Sequence, residues 1–307
     1  MNDAVVLDSV SKTFHEEGQP DLVAVDDLSL TIRTGEIFCL VGPDGAGKTT
    51  TLRMMCGVLP PTSGSISIMG LEMKTRHSEI KTKIGYLSQR FSLYGDLTID
   101  ENIDFFAEIH RMKDFTARKD ELLDFMRLTP FRDRLAERLS GGMKQKLALA
   151  CTLIHRPDVI FLDEPTTGVD PVSRRDFWKI LSSVLKSGIS IVMATPYLDE
   201  AERATRVALL SGGRLLLCDT PEKVRATFEE EVLEIIPGNA RMALGVLRTM
   251  KIVKNVQLFG DRLHVVLADR DRPAEEFLNE LRGKGITIQS SRSLPPSLED
   301  VFISRIS

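Results

Sequence analysis

Cysteine is scarce in this chain of 307 residues. Cys39, Cys56, Cys151 and Cys218 stand far apart in apolar surroundings, which excludes a disulfide scaffold and reads as buried thiols in a reducing compartment. Neither sign of charge is in excess. Forty Lys and Arg stand against 44 Asp and Glu, a net −4, so the basic footprint that phosphate backbones demand is missing and no nucleic-acid partner is expected. Long hydrophobic runs are also lacking: the longest uncharged stretch, Met54 to Leu71, is broken by Pro60-Pro61 and by Gly and Ser, which excludes a membrane helix there. The opening MNDAVVLDSV has no basic region before an apolar run, so no signal peptide is expected. Solenoid repeats, low-complexity tracts and heptads are absent as well. What remains, 42% hydrophobic and 27% charged residues, is an ordinary globular composition, long enough for one large and one small domain.

The pattern along the chain is mostly an alternation of strand and helix. Residues 4–10 and 27–33 alternate apolar and polar side chains as half-buried strands do, and the segment from Phe14 to Pro20 between them is polar and loop-like. The apolar run Ile37 to Val41 ends in a Gly-rich turn and continues as Lys48 to Met55, which predicts strand, loop and helix. Thr98 and Glu101 have the spacing of a reciprocal helix cap, with Ile103, Phe106 and Ile109 continuing the apolar face. A helix is expected over 116–127. Strands at 159–162, 189–194 and 207–210 then alternate with helices at 172–186 and 198–204, which predicts a parallel sheet covered on both faces. Near residue 229 the style changes. A strand at 232–236, a helix carrying Ala243, Val246, Leu247 and Met250, strands at 252–259 and 262–268 joined by Gly260-Asp261, a helix from Pro273 to about Arg282, and a strand around 286–288 follow in turn. This β-α-β-β-α-β order predicts a small α+β domain of ferredoxin-like type, closed by a short helix capped at Ser297. The expected domains are therefore 1–228 and 229–307.

Two motifs carry chemistry. Gly42-Pro43-Asp44-Gly45-Ala46-Gly47-Lys48-Thr49 fits the phosphate-loop pattern G-x-x-x-x-G-K-[ST] between a strand and a helix. Glycines let backbone N–H groups turn toward phosphates, and the helix N-terminus adds partial positive charge. Lys48 is placed to reach the β- and γ-phosphates, Thr49 to ligate Mg²⁺, and Thr50 continues the loop into the helix. Downstream, Val159-Ile-Phe-Leu-Asp163-Glu164 ends a buried strand in two acids. With a phosphate loop upstream, Asp163 is expected to hold Mg²⁺ through water and Glu164 to polarise the attacking water.

A third element points to a class. Leu139-Ser140-Gly141-Gly142-Met143-Lys-Gln-Lys-Leu sets Ser140 and two glycines at a second anion-binding helix start. It resembles the signature sequence of ABC-type ATPases, and the resemblance extends over 1–228. It implies an α/β P-loop NTPase domain, a mostly parallel sheet with helices on both faces plus antiparallel β and helical subdomains. Gln89, closing Ile84-Gly-Tyr-Leu-Ser-Gln89, resembles the family's Q-loop glutamine, a catalytic and Mg²⁺-associated position. Asp170 in Gly168-Val-Asp170 resembles its D-loop acid. Phe14 resembles the aromatic that stacks on adenine, although an apolar plug at a strand end fits it too. The phosphate loop, the signature run and Ser297-Leu-Glu-Asp-Val-Phe302 together resemble ATPases of ABC-2-type drug and antibiotic exporters, above all the N-terminal half of fused, two-ATPase YbhF-like subunits. That resemblance implies ATP and Mg²⁺ as cofactors, and an ATPase at the cytoplasmic face of the cell membrane. It also implies a separate integral membrane ABC-2-type permease and a second ATPase domain, identical or different. In the head-to-tail pair, Ser140, Gly141 and Gly142 would meet ATP held by the other chain.

The chain departs from the family pattern at three points. Asp44 stands where Asn is commoner, and Met143 where Gln is. In Thr195-Pro196-Tyr197-Leu-Asp-Glu200, Pro196 replaces the switch histidine that contacts the γ-phosphate, and proline offers neither a side-chain donor nor an N–H. His15, His77, His110, His155 and His264 all lie elsewhere. Either Glu164 suffices, or this chain's own site is slow. Two other readings stay open: a weakly hydrolytic regulatory subunit of a heterodimeric ATPase, and a soluble ABC ATPase outside transport.

Overall fold

The computed structural model describes residues 3–15, 17–18, 20–89, 93–268 and 273–306; Glu16 and Gln19 of the expected polar loop lie outside them. The chain divides into two compact units, Met1–Pro221 and Glu222–Ser307. All of the short helix after Thr220 except its first residue thus falls in the second unit, ahead of the expected boundary at 228.

In the first unit, strands β1 (Asp3–Phe14) and β2 (Leu22–Arg33) pair antiparallel. Their alternation buries Val5, Leu7 and Val10 on one strand and Val25, Leu28, Leu30 and Ile32 on the other. Strand β3 (Ile37–Val41) is buried at every position, as a strand covered on both faces must be. It leads through the phosphate loop into α1 (Lys48–Met55). Next come β4 (Ser63–Ile68), β5 (Leu71–Glu72), α2 (Met73–Lys83) and β6 (Ile84–Leu87). Strands β4 and β5 complete an antiparallel sheet in the order β2-β1-β4-β5.

A helical segment follows: α3 (Ile99–Ile109), α4 (Thr116–Met126) and α5 (Gly141–Leu153). The capping box at Thr98 forms, with Thr98 Oγ1 accepting from the Glu101 N–H at 3.2 Å and Glu101 Oε2 accepting from the Thr98 N–H at 2.8 Å. Lys119 on α4 donates to Asp100 at 2.8 Å and Asp104 at 2.7 Å on α3, a part-buried clamp that fixes the two helices side by side. Ile109, expected on the buried face, is 57% exposed because α3 ends there and its last turn runs past the packed stripe.

The remaining elements of this unit are β7 (Val159–Asp163), α6 (Pro171–Lys186), β8 (Ser190–Thr195), α7 (Leu198–Ala201), β9 (Arg206–Ser211) and β10 (Arg214–Asp219). They form a second sheet in the order β10-β9-β3-β8-β7-β6, parallel from β6 to β9 with β10 antiparallel at the edge. The loop after β3, the acids ending β7 and the turn after β8 therefore leave adjacent strands at the same carboxyl edge, where ligands of open α/β sheets bind.

The second unit contains α8 (Pro221–Ala226), β11 (Val232–Pro237), α9 (Ala240–Leu247), β12 (Val253–Phe259), β13 (Arg262–Leu267), α10 (Ala274–Gly283), β14 (Ile288–Leu294) and α11 (Leu298–Ile306). Its sheet runs β12-β13-β11-β14, antiparallel throughout, over a core that includes Leu233, Ile235, Leu247, Leu263, Val265, Phe277 and Leu281. The last strand begins at Ile288, later than expected, because Gly285 (φ 83°) and the Ile286 N–H bond to Leu281 O take up the turn out of α10. Among the described residues, no helix is long and apolar enough to cross a membrane.

Candidate nucleotide site

The phosphate loop folds as its glycines demand. Gly47, the residue before α1, has φ 92°, and a Cβ there would lie 2.5 Å from the Ala24 carbonyl oxygen; any side chain would force the loop off β2. Lys48 is 4% exposed and curls back on its own loop, its Nζ donating to Gly42 O at 2.8 Å and Pro43 O at 2.9 Å. Burial pulls its pKa down, while Glu164, Asp44 and Asp163 pull it up.

Thr49 Oγ1 donates to Asp163 Oδ1 at 2.8 Å, joining the start of α1 to the end of β7. Asp163 is fully buried, and its Oδ2 has no hydrogen-bond partner. Burial raises its carboxyl pKa, the Thr49 hydroxyl lowers it, and Glu164 next door raises it further. Glu164 adopts a left-handed backbone (φ 48°) fixed by its N–H bond to Ala194 O on β8 at 2.9 Å. Its Oε2 accepts from Gln89 Nε2 at 2.8 Å and from Thr167 Oγ1 at 3.2 Å.

A cleft of about 410 Å³ collects Phe14, Asp44, Gly45, Ala46, Gly47, Lys48, Thr49, Thr50, Gln89 and Glu164, together with Leu22, Val23 and Ala24 at the start of β2. Phe14 is 40% exposed, with Lys12 Nζ 5.3 Å from its ring centre. Of the expected residues, Gly42, Pro43 and Asp163 lie behind the cleft lining, held to it through Lys48 and Thr49, and Ser140, Gly141, Gly142 and Asp170 do not line it either. Ser140 caps α5, accepting from the Met143 N–H at 3.3 Å. Gly141 lines a second cleft of about 390 Å³ with Thr167, Gly168 and Val169. Gly142 presses on α6, where a Cβ would meet Ser173 Oγ at 2.5 Å. Asp170 caps α6, accepting from the N–H groups of Val172 at 3.1 Å and Ser173 at 2.9 Å; the Ser173 hydroxyl first, and then these N–H groups, hold its carboxyl below the usual range. Within one chain Asp170 is thus a helix cap.

Residues 25–167 match the family model described as ABC transporter, and residues 220–306 match the one described as ATP-binding protein DrrA1-3-like, C-terminal domain. The Nod factor export ATP-binding protein I of Sinorhizobium fredii is 35% identical over 308 residues, covering 98% of this chain and 85% of that protein. The chain belongs to the ABC transporter ATP-binding proteins. This ABC subunit is also 39% identical over 208 residues to the probable multidrug ABC transporter ATP-binding protein YbhF of Escherichia coli, a match that takes in 67% of the chain and only 36% of that relative's length. Among solved structures, the dimeric ATP-binding cassette MJ0796 bound to ADP and Pi superposes with a TM-score of 0.64 at 28% identity, over 70% of this chain and 98% of that one. The ABC subunit therefore has the α/β P-loop NTPase fold.

Thr167, which bonds Glu164, was not legible as a site residue in this ABC subunit, although a hydroxyl three residues beyond the acid is the available signal. Leu22, Val23 and Ala24 give no motif at all; they reach the cleft because β2 pairs with the strand that ends in Phe14.

Proposed function

We propose that this chain binds MgATP in the cleft around Lys48 and hydrolyses it to power an ABC-2-type exporter, paired head-to-tail with a second ATPase domain. The observation that carries this reading is the junction of Thr49, Asp163, Gln89 and Glu164 at one carboxyl edge, with Asp163 Oδ2 buried and unpartnered. An orphaned buried carboxylate oxygen beside a hydroxyl suits a hard divalent cation, for which phosphate oxygens and water complete the shell. Thr49 and Asp163, with Gln89, would hold Mg²⁺, which when bound neutralises charge on the β- and γ-phosphate oxygens.

The chain's own residues do the rest. Lys48 exchanges its two carbonyl partners for phosphate oxygens, and Phe14 offers a ring to the base. Glu164 accepts the proton of the attacking water once Gln89 leaves it. Ser140, Gly141 and Gly142 present their helix end to the nucleotide of the other ATPase domain, and Asp170 stands where the two chains meet. The second unit, with its β-α-β-β-α-β order, acts as a ferredoxin-like accessory domain that tunes dimerisation or permease contact. The assembly sits at the cytoplasmic face of the membrane against a separate permease.

Pro196 favours a refinement of this reading. A homodimer lacks the switch histidine twice, whereas a heterodimer keeps one complete site if the partner carries it, so this chain alone binds ATP well and turns it over slowly. Phosphate release and nucleotide binding by the wild type, Lys48→Ala and Glu164→Gln test the whole. Glu164→Gln should hold ATP without cleaving it. Wild-type phosphate release no faster than that of Lys48→Ala would sink the ATPase reading.

A further inference from the structure

One buried acid has no part in the reaction as described. Glu200 on α7 is 1% exposed. Its Oε1 accepts from Thr166 Oγ1 at 2.6 Å and lies 3.3 Å from Arg174 Nε as an ion pair, and its Oε2 accepts from Thr195 Oγ1 at 3.0 Å. Thr166 and Thr195 are themselves buried. A carboxylate taken out of water is costly unless its lone pairs meet donors, so a burial this complete fixes the geometry of whatever it touches.

The three partners come from three different segments. Thr166 lies two residues past Glu164. Thr195 is the last residue of β8 and directly precedes Pro196. Arg174 is in the first turn of α6, just beyond the helix cap at Asp170, with its guanidinium 4.5 Å over the Tyr197 ring. The Thr195 hydroxyl that donates to Glu200 also accepts from the Tyr197 N–H at 3.1 Å. Because proline has no N–H to anchor its own turn, this hydroxyl spans Pro196 from both sides and is itself aimed by Glu200.

We infer that Glu200 is a positioning residue for ATP hydrolysis: its carboxylate locks the segment after Glu164, the turn at Pro196 and the start of α6 into one rigid body. The inference rests on the ATPase reading above. It also gives that reading a physical remedy, since without a donor at position 196 the water is oriented by Glu164, whose left-handed backbone tolerates little drift. The lock does not touch the phosphate loop, so it acts on turnover and spares ATP affinity.

The test compares kcat, KM, binding of a fluorescent ATP analogue and melting temperature for the wild-type chain, Lys48→Ala, Glu200→Gln and Arg174→Lys. Glu200→Gln keeps the shape but removes the charge paired with Arg174 and puts an N–H₂ where an oxygen accepted from a threonine hydroxyl, which must then turn to accept. It should lower kcat about tenfold or more, with KM and analogue affinity within about twofold. Arg174→Lys retains the charge and should keep much of the rate. If Glu200→Gln fails to fold, Thr195→Val removes a single hydroxyl at nearly constant shape and should lower kcat severalfold with the same split. Unchanged kcat in a folded variant, or kcat, affinity and melting temperature all falling together, would overturn the inference and leave the ATPase reading standing. A wild type no faster than Lys48→Ala overturns both.

Discussion

Helices α1 and α5 begin alike and are finished differently. Both follow glycine-bearing turns, and both have the partial positive charge that attracts anions. The start of α1 has no side-chain cap; it is ringed by a buried lysine, a threonine and an aspartate with a free oxygen. The start of α5 is capped from within, by Ser140 bonding the Met143 N–H. Its glycines serve close packing on α6 and border a separate cleft. A helix end is thus common property of the backbone, and its surroundings decide whether it is a self-contained site or half of one. The contrast fits the pairing proposed above, in which the end of α1 holds nucleotide and the end of α5 is presented to a neighbour.

The largest test of that contrast is Lys48→Ala, which should abolish measurable MgATP binding while circular dichroism stays that of the wild type. Retained affinity would mean that α1's surroundings are not what makes it a site. Ser140→Ala should behave oppositely, leaving the ATP affinity of the isolated chain unchanged and lowering turnover of the assembled pair. Loss of the cap itself costs about 1 kcal/mol, visible as a small drop in melting temperature. Pro196→His should raise turnover of the purified chain up to about tenfold if the missing donor limits it; no rise in a folded variant would leave Glu164 as sufficient.

A smaller effect tests the far end of α5. His155 follows the C-terminus of that helix, its Nε2–H donating to Ile84 O at 2.9 Å and its ring stacked on His110 at 3.7 Å. Burial, and next the charge of His110, push its pKa down to about 4. The unfolded chain, with histidine near its ordinary value, binds the proton first, so this contribution is full at neutral pH and lost as pH falls from about 6.5 toward 4. Melting temperature should decline over that window, and less steeply in His155→Gln; parallel curves would mean that His155 carries none of the dependence. Smallest of all, a chain ending at Pro221 should bind ATP like the full one by equilibrium titration, whereas an unfolded product would tie the second unit to the first core.

Much of this was legible in the sequence where a run is continuous and chemically exclusive. Ile37 to Val41 and Val159 to Asp163 read as buried strands because nothing polar interrupts them, and the loop and acids that follow could then be placed. Elements with diluted patterns escaped. β4 opens with Ser-Gly-Ser, α2 buries only Met73 and Ile80, and β10 is a half-exposed edge, so none shows a clean period. Glu200 was illegible for another reason. It sits in Asp199-Glu200-Ala201-Glu202, which reads as a solvated helix start; only the approach of Thr166, Thr195 and Arg174 from distant segments separates it from the exposed acid beside it.

Lys48 folded onto the carbonyls of Gly42 and Pro43 has a kinetic consequence. Its ammonium already rests on two carbonyl oxygens of its own loop, so on the proposed reading the cation is in place before phosphate enters. Capture on that reading exchanges one set of oxygens for another around the same ammonium. The association rate should be governed by how fast ATP diffuses to the cleft, and differences between nucleotides should appear almost entirely in how long each one stays.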